Sequence, residues 1–173
     1  RQNVVHRDIK PANVMLDPAS GQVKVTDFGI ARITDSSRTK TGVVLGTPSF
    51  MAHEQLAGQR VNGRADLYAL GAMLFQLLTG ELPLKGDSLS ALMYQIANTV
   101  PPDVRTLRPA LPAELAALLQ ALLAKRAEER PASGADVAAV LRRIAPAVSN
   151  GTVDDTPTLR LSRDTRIHPT IPV

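Results

Sequence analysis

The stretch from Ala65 to Thr79 carries Leu67, Leu70, Met73, Leu74, Leu77 and Leu78 at helical spacing, with Ala and Gly among them. Apolar residues recurring at i, i+3, i+4 and i+7 select an α-helix, and a helix this apolar is expected to be buried. Gly80 supplies its stop. A chain organised around one buried helix needs other helices to cover it, and three more are legible. Ser88 to Ala97 is the first. Pro101, Pro102 and Pro109 then mark an extended connection. Pro112 to Ala127 reads as the next helix, with Pro112 near its first turn. Ser133 to Ile144 is the last, with Ser133 as N-cap, Asp136 three residues on as an approximate capping box, and Pro146 as its end. Aromatic residues make up only 3% of the 173, so the core is expected to consist of Leu, Ala and Val.

The first thirty residues follow a different pattern. Val14-Met15-Leu16 is a short apolar run, and Asp17-Pro18-Ala19-Ser20-Gly21 is dense in turn formers. Val23-Lys24-Val25-Thr26 alternates and is β-branched, so it reads as a returning strand. The hairpin so formed brings Asp8 and Asn13, before it, and Asp27, after it, toward one end. Residues 31 to 64 are polar and rich in Thr, Ser and Gly, with one helical turn expected near Ala52 to Ala57. A loop that long inside a domain is usually functional. From 148 to 173 no periodicity is sustained, which predicts a disordered tail or linker after a domain of residues 1–147. The expected fold class is mainly α with a small β-hairpin.

Composition removes several functions. There is no cysteine, so disulfides and thiolate metal sites are excluded. The net charge of +4 is scattered, and the few aromatics do not interleave with it, so no nucleic-acid partner is expected. No apolar run reaches the roughly 18 residues that a membrane span needs. A cytoplasmic location is expected, with any membrane anchor of a parent protein outside this segment.

The polar residues around the hairpin suit one chemistry. Phosphoryl transfer from ATP needs a positioned base, a cation near the moving phosphoryl group and oxygen ligands for Mg²⁺. Asp8 can accept a hydroxyl proton, Lys10 can neutralise phosphate charge, and Asn13 and Asp27 offer the oxygens that Mg²⁺ prefers. Gly29 gives the backbone freedom to re-aim Asp27. Singly these residues say little. Jointly, His6-Arg7-Asp8 with Asn13 five residues beyond Asp8, a strand–turn–strand, then Asp27-Phe28-Gly29 form an ordered set that a solvated surface would not produce.

This set resembles the catalytic loop and magnesium motif of the bacterial, eukaryotic-like serine/threonine protein kinases, over roughly residues 1 to 145. Lys10, two residues after Asp8, is the form typical of serine/threonine rather than tyrosine kinases. The resemblance implies a protein-kinase-like C-lobe, with ATP and Mg²⁺ (or Mn²⁺) as cofactors and protein Ser/Thr side chains as substrates. It implies Asp8 as catalytic base and Lys10 on the γ-phosphate. Asn13 and Asp27 would hold the metal, Met15 would form part of the adenine floor, and Thr26 would line the back of the pocket. Residues 27 to 54 become the activation segment. Thr39 and Thr41 sit where similar kinases carry activating phosphothreonines, which would pair with Arg7. Gly46-Thr47-Pro48 resembles the segment that receives the substrate residue, with Thr47 near Asp8 and Lys10. Asp66 corresponds to an Asp that holds the catalytic-loop backbone, and Arg130 to an Arg that pairs with Glu54.

The sequence also departs from that pattern. Ala52-His53-Glu54 replaces Ala-Pro-Glu, and Phe50 stands where Tyr is common. The 173 residues hold no Gly-rich phosphate loop, no strand Lys and no helix Glu to pair with it. They begin at Arg1, so the N-lobe is expected in the parent chain, and the segment alone is expected to be inactive. The competing readings are a non-catalytic pseudokinase and a phospho-dependent interaction module. In the latter, Thr156 and Thr158 would recruit a phosphothreonine-binding partner.

Overall fold

The computed structural model describes residues 4–27 and 48–150, with side chains as far as Pro146. Its elements are a hairpin of β1 (Val14–Leu16) and β2 (Val23–Val25), then helices α1 (His53–Leu56), α2 (Gly63–Thr79), α3 (Leu89–Asn98), α4 (Ala113–Leu122) and α5 (Gly134–Asn150). Single 3₁₀ turns lie at Pro11–Asn13, Pro48–Phe50, Val104–Thr106 and Ala127–Glu129. The result is mainly α with one small hairpin, as the sequence predicts.

Local chemistry explains the boundaries. The Asn62 side chain accepts from the Arg64 N–H and opens α2. Gly80, at φ 78, closes α2 in the left-handed region and returns its N–H to the Gln76 carbonyl. Ser88 caps α3 by accepting from the Ala91 N–H. In the hairpin, antiparallel register pairs Val14 with Val25, Met15 with Lys24 and Leu16 with Val23. Asp17 carries the turn, its side chain accepting from the Ala19 N–H.

Helix α2 runs through the centre. Its buried residues are Ala65, Leu67, Tyr68, Ala69, Gly71, Ala72, Met73 and Phe75. Small residues let α4 approach closely: a Cβ on Gly71 would lie 2.7 Å from the Leu122 Cβ. Leu115, Leu119 and Leu123 pack into the core from α4 and its end, Val104 from the connection, Ile96 from α3 and Ile144 from α5. Leu67, Leu118, Leu122 and Val137 extend it, and Leu70, Leu74, Val140 and Leu141 border both groups.

Three expectations need correction. Leu77, counted in the buried face, is 49% exposed, while Tyr68 and Phe75 are each 1% exposed and carry the centre. The third helix stops at Leu122 rather than running to Ala127. There the carbonyls of Ala124 and Lys125 are taken by the Arg130 guanidinium instead of by a further helical turn. Finally, α5 passes through Pro146 to Asn150. The missing Pro N–H strands only the carbonyl of Arg142, an exposed residue, where water can take the bond. Residues 151–173, the bulk of the expected tail, lie outside the described residues.

Candidate catalytic site

The site is a loop hung from helices. Residues 6 to 10 have no regular ladder of their own, so their backbone groups need partners elsewhere. Asp66, in the first turn of α2, supplies two: its carboxylate accepts the His6 N–H at 2.8 Å and the Arg7 N–H at 2.7 Å. A carboxylate accepting backbone N–H groups makes charge-assisted, short hydrogen bonds. From α1, the Gln55 amide donates to the Arg7 carbonyl at 2.6 Å. His6, 5% exposed, donates from Nε2 to the Thr26 carbonyl at 3.0 Å. That tautomer leaves Nδ1 to accept the Asp8 N–H at 3.3 Å.

Asp8 sits at the middle of this scaffold. Lys10 Nζ donates to both its carboxylate oxygens, at 3.0 and 3.2 Å. The Asn13 amide donates to the Asp8 carbonyl at 2.8 Å and to its carboxylate at 2.9 Å. The Asp8 and Lys10 side chains are 14% and 16% exposed, so the pair is shielded yet still reachable from solvent. Asn13 is buried, and its two amide protons both go to Asp8. Its Oδ1 is therefore the atom it can offer a cation.

Asp27 is tied to the same end by the hairpin. The Thr26 N–H donates to the Asn13 carbonyl at 2.9 Å, and its hydroxyl reaches the same oxygen at 3.4 Å. Asp27 follows, exposed and at φ 57. Among the described residues, Arg7 (φ 68) and Asp27 are the non-glycines with positive φ, and both belong to this site. Such conformations persist only where surrounding bonds over-determine them, and they cluster at functional sites. Among the described residues no group of three or more His, Asp or Glu could cage a metal. Asn13 Oδ1 and the Asp27 carboxylate are the oxygens that could hold Mg²⁺, an ion that keeps waters and takes phosphate oxygens as further ligands.

The remaining expected residues divide. Met15, in the middle of β1, is 61% exposed, and Thr26, just after β2, is half-buried. Phe28, Gly29, Thr39, Thr41 and Thr47 lie outside the described residues. Glu54 and Arg130 do meet: Nη1 reaches Oε1 at 2.7 Å and Nη2 reaches Oε2 at 3.0 Å. Arg130 also donates to the carbonyls of Ala124, Lys125 and Arg64, so all five of its N–H groups are engaged. It lies 5.1 Å from the Tyr68 ring centre. Burial alone would raise the Glu54 pKa, but the hydrogen bonds and charge of Arg130 outweigh it and hold the carboxyl below its ordinary value. His53, in place of Pro, is simply the first residue of α1, and the helical turn forms without the preset φ of a proline.

Sequence reasoning missed Gln55, the His6 bonds and Lys125. The Lys125 ammonium donates to the Ile96 carbonyl at 2.6 Å and fastens the end of α3. Burial, aided by the Arg130 charge, pushes its pKa down to about 8. These are contacts between distant segments, and no local spacing announces them.

Comparison with known proteins decides the family. The sequence pattern of the protein kinase domain matches residues 1–141. The chain belongs to the protein kinase family. Its relatives are bacterial serine/threonine kinases. It is 47% identical over 137 residues to the DNA damage-responsive serine/threonine-protein kinase RqkA of Deinococcus radiodurans, covering 78% of this chain and 20% of that protein. It is 42% identical over 149 residues to the serine/threonine-protein kinase PknB of Mycobacterium tuberculosis, covering 83% and 23%. The crystal structure of the Mycobacterium tuberculosis PknI kinase domain superposes with a TM-score of 0.60 at 30% identity, covering 82% of this chain and 47% of that one. The chain thus spans about a fifth of the length of the curated relatives. The expected kinase-like, mainly α architecture is borne out.

Proposed function

We propose that the protein transfers the γ-phosphoryl group of ATP to Ser or Thr hydroxyls of protein substrates. The observation that carries this reading is the constraint on Asp8: its carboxylate is held by Lys10 and Asn13, and its backbone by His6, within a loop strung on Asp66 and Gln55. An acid so fixed can accept the proton of an incoming hydroxyl as that oxygen bonds to phosphorus. The Lys10 ammonium, beside Asp8, would meet the charge of the transferred group. Asn13 Oδ1 and the Asp27 carboxylate would hold Mg²⁺ (or Mn²⁺), which when bound neutralises phosphate charge. Met15 and Thr26 would face the nucleotide. Arg7 would pair with phosphate on Thr39 or Thr41, and Thr47 would stand near the substrate residue. Residues 1–147 form the kinase unit on this reading, with 148–173 as a linker, and the reaction belongs to the cytoplasm. The intact Asp8, Lys10, Asn13 and Asp27 set favours an enzyme over a non-catalytic pseudokinase.

The test is Asp8→Asn in the full-length gene product. Phosphotransfer to a Ser/Thr substrate is expected to fall by roughly 10²–10⁴-fold, while binding of a fluorescent ATP analogue persists. Full turnover by that variant would remove the assignment of the base.

A further inference from the structure

Helix α1 is one turn long, yet two adjacent side chains on it reach to opposite parts of the molecule. Glu54 takes the Arg130 guanidinium. Gln55 takes the Arg7 carbonyl across 48 positions of sequence. That carbonyl belongs to the peptide unit between Arg7 and Asp8, whose N–H end donates to His6 Nδ1. The same peptide follows a non-glycine residue in the left-handed region, at φ 68. Asp66 restrains the N–H groups of His6 and Arg7, on the other side of the Arg7 Cα. Beyond that Cα, Gln55 is the side chain that holds the carbonyl end of the plane. The orientation of this plane sets the direction in which the Asp8 side chain leaves the backbone.

We propose that Gln55 is a positioning residue for Asp8. Its amide holds the Arg7–Asp8 peptide plane and so ties the aim of the catalytic base to α1, the helix that follows the segment of residues 28–47. The inference rests on the reading of Asp8 as the base. Because the neighbouring Glu54 is locked by two bonds to Arg130, the anchor is stiff. A base misaimed by a fraction of an ångström still permits substrate binding, but slows proton and phosphoryl transfer.

The experiment compares Gln55→Met, Gln55→Glu and Gln55→Lys with Asp8→Asn in the full-length gene product. Met removes the donor, Glu sets a carboxylate against the carbonyl, and Lys restores a donor. Expected is a kcat lower by roughly 10- to 100-fold for Met and Glu. Their KM values for ATP and substrate should stay within about twofold, and most of the rate should return with Lys. If kcat of the Met and Glu variants stays within about twofold of the native value while Asp8→Asn falls by roughly 10²-fold or more, the proposal fails and the base assignment stands. If Asp8→Asn keeps full turnover, the base assignment itself fails. A Lys variant as slow as Met, or a Gln55→Met protein unfolded at the assay temperature by circular dichroism, would show that Gln55 holds the fold rather than aims the base.

Discussion

The candidate catalytic loop and the helical body reach order by different routes. Around α2, order comes from apolar contact: Phe75, Ile96, Leu119 and Leu122 are each at most 2% exposed. Their burial is non-directional and is shared among many neighbours. Among the described residues, the loop and hairpin have little of this. Met15, Leu16 and Val23 are all more than 60% exposed, and the loop is instead held by a few directional bonds from Asp66, Gln55, Asn13 and His6. A packed body tolerates adjustment at many points, whereas a site held by single bonds can be aimed accurately and disabled by one change. Arg130 joins the two regimes, a polar group completely satisfied inside the packed body.

This contrast is broken most forcefully at Arg130. Arg130→Ala removes the partner of Glu54 and of the carbonyls of Ala124 and Lys125 beyond the end of α4. It should cost about 3–5 kcal/mol of stability, read as a lower denaturation midpoint in urea. A loss below about 1 kcal/mol would mean that the body does not depend on this polar hub. Asp66→Asn should do the reverse. It weakens the two backbone bonds by about 1–3 kcal/mol locally, leaves the core intact, and lowers kcat in the full-length gene product by roughly 10-fold or more. Equal damage to melting temperature by both substitutions would erase the distinction drawn between the two regions.

The smallest effect concerns pH. The folded pKa of Glu54 lies below its unfolded value, so the brace contributes fully above that unfolded value. The contribution is lost as pH falls through the folded one. For Lys125, lowered to about 8 from an ordinary 10.5, the unfolded chain binds more protons between those values. Stability should therefore rise slightly with pH across that window. Melting curves against pH should show both slopes, with Glu54→Gln flattening the acid one and Lys125→Met the alkaline one. Persistence of either slope in its variant would assign it to another group.

Much of the fold was readable because its signals are local. Gly80, Ser88 and Ser133 lie where helix ends are chemically required, and the hairpin is bounded by its own turn formers. The misreadings have non-local or solvent causes. Nothing within residues 112–127 reveals that a guanidinium from position 130 will take the carbonyls of Ala124 and Lys125 and end α4 early. Pro146 is a helix breaker by rule, yet near an exposed helix end it removes one bond that water replaces. Leu77 and Leu78 fit the helical period equally well, and only the presence or absence of a neighbouring element sorts exposed from half-buried.

For the site, the sequence alone determined which chemistry was available. Asp8, Lys10, Asn13 and Asp27, in that order around a hairpin, carry two carboxylates, an ammonium and an amide, the groups that the proposed reaction needs, and side-chain identity is a covalent fact. Tertiary structure decided how those groups are aimed. Arg7 and Asp27 hold positive φ, Asp66 and Gln55 reach the Arg7 backbone from 59 and 48 residues away, and Arg130 closes on Glu54 from 76. The reason is physical: identity is written residue by residue, but direction is set by bonds between segments that meet only after the chain has packed.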